Sequence, residues 1–138
     1  MIDWFSSESM RAVYEGFSAV SGDPMLWLLV LAGTLLGMVV GILPGFGPPA
    51  AMALLFPLTY VMPPLSGIAM LAGIFYGAKY GGAVTSILLG IPGETDAVAT
   101  LFEGHPLARA GLAQQALAAA TPASFWGGMT ATLAVALL

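Results

Sequence analysis

The chain has no cysteine, one histidine, three basic residues and seven acidic ones among 138. Without cysteine there is no disulfide framework, no thiol nucleophile and no zinc–thiolate site. Three basic residues cannot build the phosphate-neutralising surface of a nucleic-acid binder, so no nucleic acid is expected as a partner. The sequence contains no G-x-S-x-G and no H-E-x-x-H, the spacings that place a nucleophile or two metal-binding imidazoles. An enzyme, a cofactor or a resident metal is therefore not expected. Gly45-Phe-Gly47-Pro-Pro-Ala50 fits the spacing of a dinucleotide fingerprint. Its context fails: no strand pattern precedes it, no acid follows about 20 residues on, and two prolines remove needed amides. Glu103 and His105 lack the second His or a Cys that a metal pair would need. His105 is expected to be a loop residue before Pro106.

Charged residues make up 7% of the chain and hydrophobic ones 59%, where globular chains carry about 25% charge. Residues 24–78 carry no charge at all. The apolar runs are continuous, not alternating, which excludes a membrane β-barrel. The expected class is all-α integral membrane, a polytopic helical bundle.

Gly33, Gly37, Gly41 and Gly45 recur at every fourth residue. In lipid such a face serves close helix packing. Asp23-Pro24 is a helix start, with the Asp capping free amides and the Pro at the first position. The apolar run 24–43 then has the 20 residues needed to cross a bilayer. Pro44, Gly45, Phe46, Gly47 and Pro48 break it, and 50–58 is expected as a half-helix, with Pro57, Pro63 and Pro64 bracketing a turn. A second long segment, 65–89, carries Ala69, Gly73, Gly77, Gly81 and Thr85 on one stripe and Ala78, Gly82, Ser86 and Gly90 on the next. Two small-residue stripes predict close neighbours on two sides, so this helix is central. It ends in Gly90-Ile91-Pro92-Gly93-Glu94. Both long segments thus finish with a small-xxx-small step feeding a Pro-Gly break.

The polar stretch 95–109 is expected to form one or two short surface helices interrupted at Gly104 and Pro106. Residues 112–138 form a third apolar segment with Pro122 and Gly127-Gly128 inside. At the other end, Met10, Val13, Tyr14 and Phe17 share a stripe, with Trp4 and Phe5 just before it. Residues 1–22 are expected to be an amphipathic segment at the lipid–water interface, or a cap packed on the protein's own rim, with 23–138 as the transmembrane domain. The opening residues lack the basic region of a secretory signal. The chain stops inside an apolar segment, from which a longer protein is expected.

A break inside an apolar zone exposes backbone groups that survive only where they are buried in protein or line a wet cavity. It is the sequence pointer to a substrate site in a transporter built from discontinuous helices. The half-helix starting at Pro48 would present its positive end to an anion. The carbonyls of Leu43 and Gly45 would suit Na⁺. Because Pro48 and Pro49 have no amide hydrogen, donors would come from Gly45, Phe46, Gly47 and Ala50. Thr85 and Ser86 offer hydroxyls to a carboxylate or to carbonyls one turn back. Lys79 is expected to neutralise an anionic substrate, to pair with Glu94 or Asp96, or to snorkel. Glu94 lies near the second break and is a candidate for sensing a coupling proton or cation. Pro92, Gly93 and Thr95 stand with Glu94 as candidate substrate or ion contacts, and Thr95 and Asp96 also fit ordinary helix-start chemistry.

Five segments together resemble one family. They are Gly41-Ile-Leu-Pro-Gly-Phe-Gly-Pro-Pro-Ala50, Leu54-Leu-Phe-Pro-Leu-Thr59, Leu71-Ala-Gly-Ile-Phe-Tyr-Gly-Ala-Lys-Tyr-Gly-Gly-Ala-Val-Thr85, Ile87-Leu-Leu-Gly-Ile-Pro-Gly-Glu94 and Gly104-His-Pro-Leu-Ala108. The chain resembles, from about Asp23 onward, the large membrane subunit of the tripartite tricarboxylate transporters. The resemblance implies the first part of a longer inverted-repeat transporter with two related halves, in a bacterial inner membrane. It implies a periplasmic solute-binding protein and a small membrane subunit as partners, a tri- or dicarboxylate as substrate, and coupling to Na⁺ or H⁺. It marks Pro44, Gly45, Gly47 and Pro48 as one motif. Tyr76, Gly77, Tyr80, Gly81, Gly82, Pro92, Gly93 and Glu94 form the other. Phe46 stands where Leu or Ile is more usual, and Lys79 matches no basic residue expected of the family. The competing reading is a membrane scaffold that assembles through its glycine ladders without transporting anything.

Overall fold

The computed structural model describes residues 7–137, and its elements are helical throughout that range. Trp4 and Phe5 lie outside the described residues, as does the side chain of Met10. The helices are α1 (Ser7–Ser21), α2 (Pro24–Gly41), α3 (Pro48–Thr59), α4 (Pro64–Leu89), α5 (Val98–Leu107) and α6 (Ala113–Leu137), with a π-helical turn, Ala108–Leu112, before α6.

The start of α2 follows from local chemistry. The Asp23 side chain accepts from the Met25 amide at 2.8 Å, and Pro24 occupies the first turn. The helix buries Leu26, Gly33, Gly37 and Gly41, while Leu28, Leu31, Leu35 and Val39 stay exposed. Small residues inside and leucines outside invert the soluble pattern and suit a helix with lipid around it. Among the described residues, α2 is the one helix both long and apolar enough to cross a membrane. The expected third segment forms α6, which passes through Pro122 and Gly127-Gly128 without a break. Its alanines and threonines leave it less apolar than α2.

The centre of the fold is α4, which packs against α2, α3, α5 and α6. Its contact with α2 is made by backbone. A Cβ added at Gly33 would strike the Met70 carbonyl oxygen, one at Gly37 that of Ile74, and one at Gly41 that of Ala78. From the other side, Gly73 meets Val30, Gly77 meets Thr34, and Gly81 meets Met38 and Gly41. The register rises together on both helices, so α2 and α4 run parallel.

Two parallel neighbours need a return path, and α3 supplies it. Its first residues lie near the end of α2, Ala51 joins Met70, Ile74 and Ala78 in the buried cluster, and the Thr59 carbonyl lies beside Gly67. The expected half-helix therefore does not prolong α2; it reverses direction and runs back along α4. The turn expected between Pro57 and Pro63-Pro64 lies there: α3 runs through Pro57, closes at Thr59, and α4 starts at Pro64.

Candidate functional site

The break after α2 spans residues 42–47. Gly45 sits at φ +82°, a backbone conformation suited to glycine. The Ile42 and Leu43 amides fold back onto Met38 and Val40, and the Phe46 amide donates to the Leu43 carbonyl. The Leu43 oxygen expected to face a cation is thus held in the turn. Phe46 is exposed and Pro48 is buried.

The break after α4 begins at Gly90, a left-handed cap at φ +70° whose amide donates to Ser86. Residues 90–97 then fold back over α4. A Cβ at Gly93 would stand 2.7 Å from the Cα of Gly82 and 3.5 Å from the Gly41 carbonyl oxygen. One at Gly47 would stand 3.4 Å from the Glu94 Cβ. The two Pro-Gly segments, almost fifty residues apart in sequence, therefore meet at one place over the glycines of α4. Pro92 lies in the same connection.

Thr85 ties the junction together. Its hydroxyl lies 2.9 Å from the Ile42 carbonyl and 3.1 Å from that of Gly81. Ser86 donates to Gly82 at 2.9 Å. Both side chains are buried, and both hydroxyls are engaged with backbone carbonyls. Thr85 reaches across to the first break, whereas Ser86 bonds within α4.

Lys79 stands beside this junction, one residue after the Ala78 that touches Gly41. Its ammonium lies 3.5 Å from the Glu94 carboxylate, is hydrogen-bonded to Asp96, and sits 5.8 Å from the Phe75 ring centre. The Glu94 side chain is 15% exposed and that of Asp96 is 71% exposed. The neighbouring ammonium holds the Asp96 carboxyl below the usual aspartate range. Thr95 is not a side-chain cap: α5 starts later, at Val98 behind Ala97, and its first amides fold onto the Thr95 and Asp96 carbonyls.

The expected pairing of Lys79 with Glu94 or Asp96 is present with both acids at once. The place of His105 escaped sequence reasoning. His105 is not in a loop: α5 runs through Gly104 and Pro106, and the chain bends instead at Gly111, φ +83°. The His105 Nδ1 lies 3.2 Å from the Ile87 carbonyl, and its ring lies against Gly90. Among the described residues no cluster could hold a metal ion. Tyr76 and Tyr80 face away from the junction, toward α6, where the Tyr80 hydroxyl meets that of Thr121 at 2.9 Å. Tyr76 lines an open groove of about 520 Å³ with Ser124, Phe125 and Met129, and no charged residue lines it.

The junction can do three things chemically. It presents a half-exposed ammonium, it places two carboxylates beside that ammonium, and it brings the irregular backbone of two connections together past the end of α2. The sequence model of the family described as "Tripartite tricarboxylate transporter TctA family" matches residues 27–138. A protein of Agrobacterium vitis, described as "Uncharacterized 52.8 kDa protein in TAR-I ttuC' 3'region", is 44% identical over 138 residues, covering 99% of this chain. The chain spans about a quarter, 26%, of that relative. No solved structure matches the chain.

Proposed function

The chain belongs to the TctA family of tripartite tricarboxylate transporters, and we propose that it forms part of the path by which such a transporter imports organic acids. In this reading the chain is one part of a multi-pass subunit of the bacterial inner membrane, built from an inverted repeat. A periplasmic solute-binding protein delivers a tri- or dicarboxylate, a small membrane subunit accompanies the large one, and Na⁺ or H⁺ drives import. The segment α1, whose Val13, Tyr14 and Phe17 are all exposed, lies along the lipid–water interface.

The observation that carries this reading is the convergence of the two Pro-Gly segments beside Lys79. Irregular backbone in a membrane protein belongs where it is buried in protein or lines a polar path, and a lysine within a helix otherwise free of charge is a candidate functional site. Lys79 receives a substrate carboxylate. Thr85 positions the first break through Ile42, so its role is support and not direct contact. Gly45 and Gly47 supply backbone close to the path, and Glu94 anchors Lys79.

The test is uptake by the complete transporter that contains this chain, reconstituted in liposomes with its binding protein and small subunit and offered labelled citrate or succinate. Replacing Pro44 and Gly45 by alanine should abolish uptake, and Lys79→Gln should raise KM for the acid. A scaffold would retain its partners with either change and show no carboxylate uptake to lose. Uptake unaltered by both changes would overturn the reading.

A further inference from the structure

The geometry points to Asp96 as a competitor for Lys79, so that an incoming acid binds by displacing the protein's own carboxylate. This rests on the carboxylate path proposed above. The two carboxylates on Lys79 are held very differently. Glu94 is fixed: a Cβ at Gly47 would touch its Cβ, its Cγ lies near Gly82, and its side chain is 15% exposed. Asp96 is 71% exposed, lies in the irregular connection 90–97, and among the described residues has Lys79 as its one side-chain hydrogen-bond partner.

Lys79, Glu94 and Asp96 together carry one net negative charge. A third carboxylate cannot join that group without repulsion from both acids. It can take the place of Asp96, since one ammonium–carboxylate contact is then exchanged for another. Exposed ion pairs are weak, so Asp96 can leave at small cost. It sets the affinity for substrate while Glu94 keeps the lysine in place.

The test is the KM for labelled citrate and succinate in the same reconstituted transporter. Asp96→Asn should lower KM by about two- to fivefold, the factor that corresponds to the weak energy of an exposed pair. Asp96→Glu, which restores a carboxylate, should return KM toward the wild-type value. On a Lys79→Gln background, Asp96→Asn should have no further effect on KM. A KM that rises or stays fixed in Asp96→Asn overturns the inference, as does an equal fall on both backgrounds. Those results leave the transport reading standing. If the wild-type assembly takes up neither acid, the transport reading fails and this inference fails with it.

Discussion

A pair of engineered cysteines tests the meeting of the two breaks directly, and the chain has no cysteine of its own to interfere. A Cβ at Gly47 stands 3.4 Å from the Cβ of Glu94, close to the spacing of about 3.5–4.5 Å found in disulfides. Gly47 has φ −68° and ψ 173°, a backbone that cysteine adopts without strain. The variant carrying Gly47→Cys and Glu94→Cys should therefore oxidise quantitatively in the membrane. The bridge closes a loop of roughly 48 residues, and the chain-entropy relation gives about 4 kcal/mol of stabilisation as an upper figure. The gain is read by comparing thermal unfolding of the oxidised and reduced forms of the same variant, so the loss of the Glu94–Lys79 contact cancels. Closure itself is read by protection of both thiols from a maleimide label. Gly128→Cys paired with Glu94→Cys is the control, because Gly128 has nothing within 4 Å. If both thiols at 47 and 94 stay reactive under oxidising conditions, the two Pro-Gly segments do not meet.

Three further outcomes follow from the packing. Gly37→Ala and Gly77→Ala each force a methyl into opposing backbone and should cost about 1–3 kcal/mol of stability, whereas Gly128→Ala should be neutral or slightly stabilising. Thermal unfolding in detergent checks this, and equal effects at all three sites would refute the close α2–α4 contact. Thr85→Val removes the hydroxyl that reaches Ile42 and should cost about 1 kcal/mol, with faster amide exchange at residues 42–47. Ser86→Ala, which loses a bond within α4 alone, should leave that exchange unchanged. Asp96 has its carboxyl lowered by Lys79, so its stabilising contribution is present above the ordinary aspartate range and is lost as pH falls through the lowered folded value. The stability difference between wild type and Asp96→Asn should therefore shrink on acidification, and a difference that grows would contradict the ion pair.

Much of the local architecture was legible in the sequence because it rests on local rules. Asp23-Pro24 starts α2, the glycine ladders mark the faces that pack, and the long helix with two small-residue stripes is the central one. The positions of both breaks were also legible, since proline and glycine act where they stand. Direction was not. Nothing in residues 42–49 distinguishes a chain that continues after a break from one that turns back. The reversal of α3 follows from the parallel register of α2 and α4, a property of two glycine faces fitting each other. The pairing of Lys79 with Glu94 or Asp96 was legible as one option for the lysine; that both acids meet it at once was not, because that depends on the return of 90–97 over Gly82. Pro106 misled in the other direction. The helix passes through it, and the bend falls at Gly111, where φ is positive.

The turn-back of α3 changes which group attracts an anion at the junction. A helix N-terminus attracts negative charge through its free amides, and α3 does begin there. Yet its first two residues, Pro48 and Pro49, have no amide hydrogen, and the Ala51 amide is already bonded to the Gly47 carbonyl. Nearby, the Phe46 amide donates to Leu43. The α2 helix ends at the same place and brings its negative end with it, which opposes what remains of the positive end of α3. The two helix ends largely offset each other, and the side-chain charges are left to set the field. Lys79 supplies the positive charge there, and Glu94 and Asp96, one fixed and one exposed, together outweigh it by one. Selectivity for an acid at this junction would then depend less on the helix breaks themselves than on how readily Asp96 yields its place, while the breaks let the two connections come close enough for that exchange to occur.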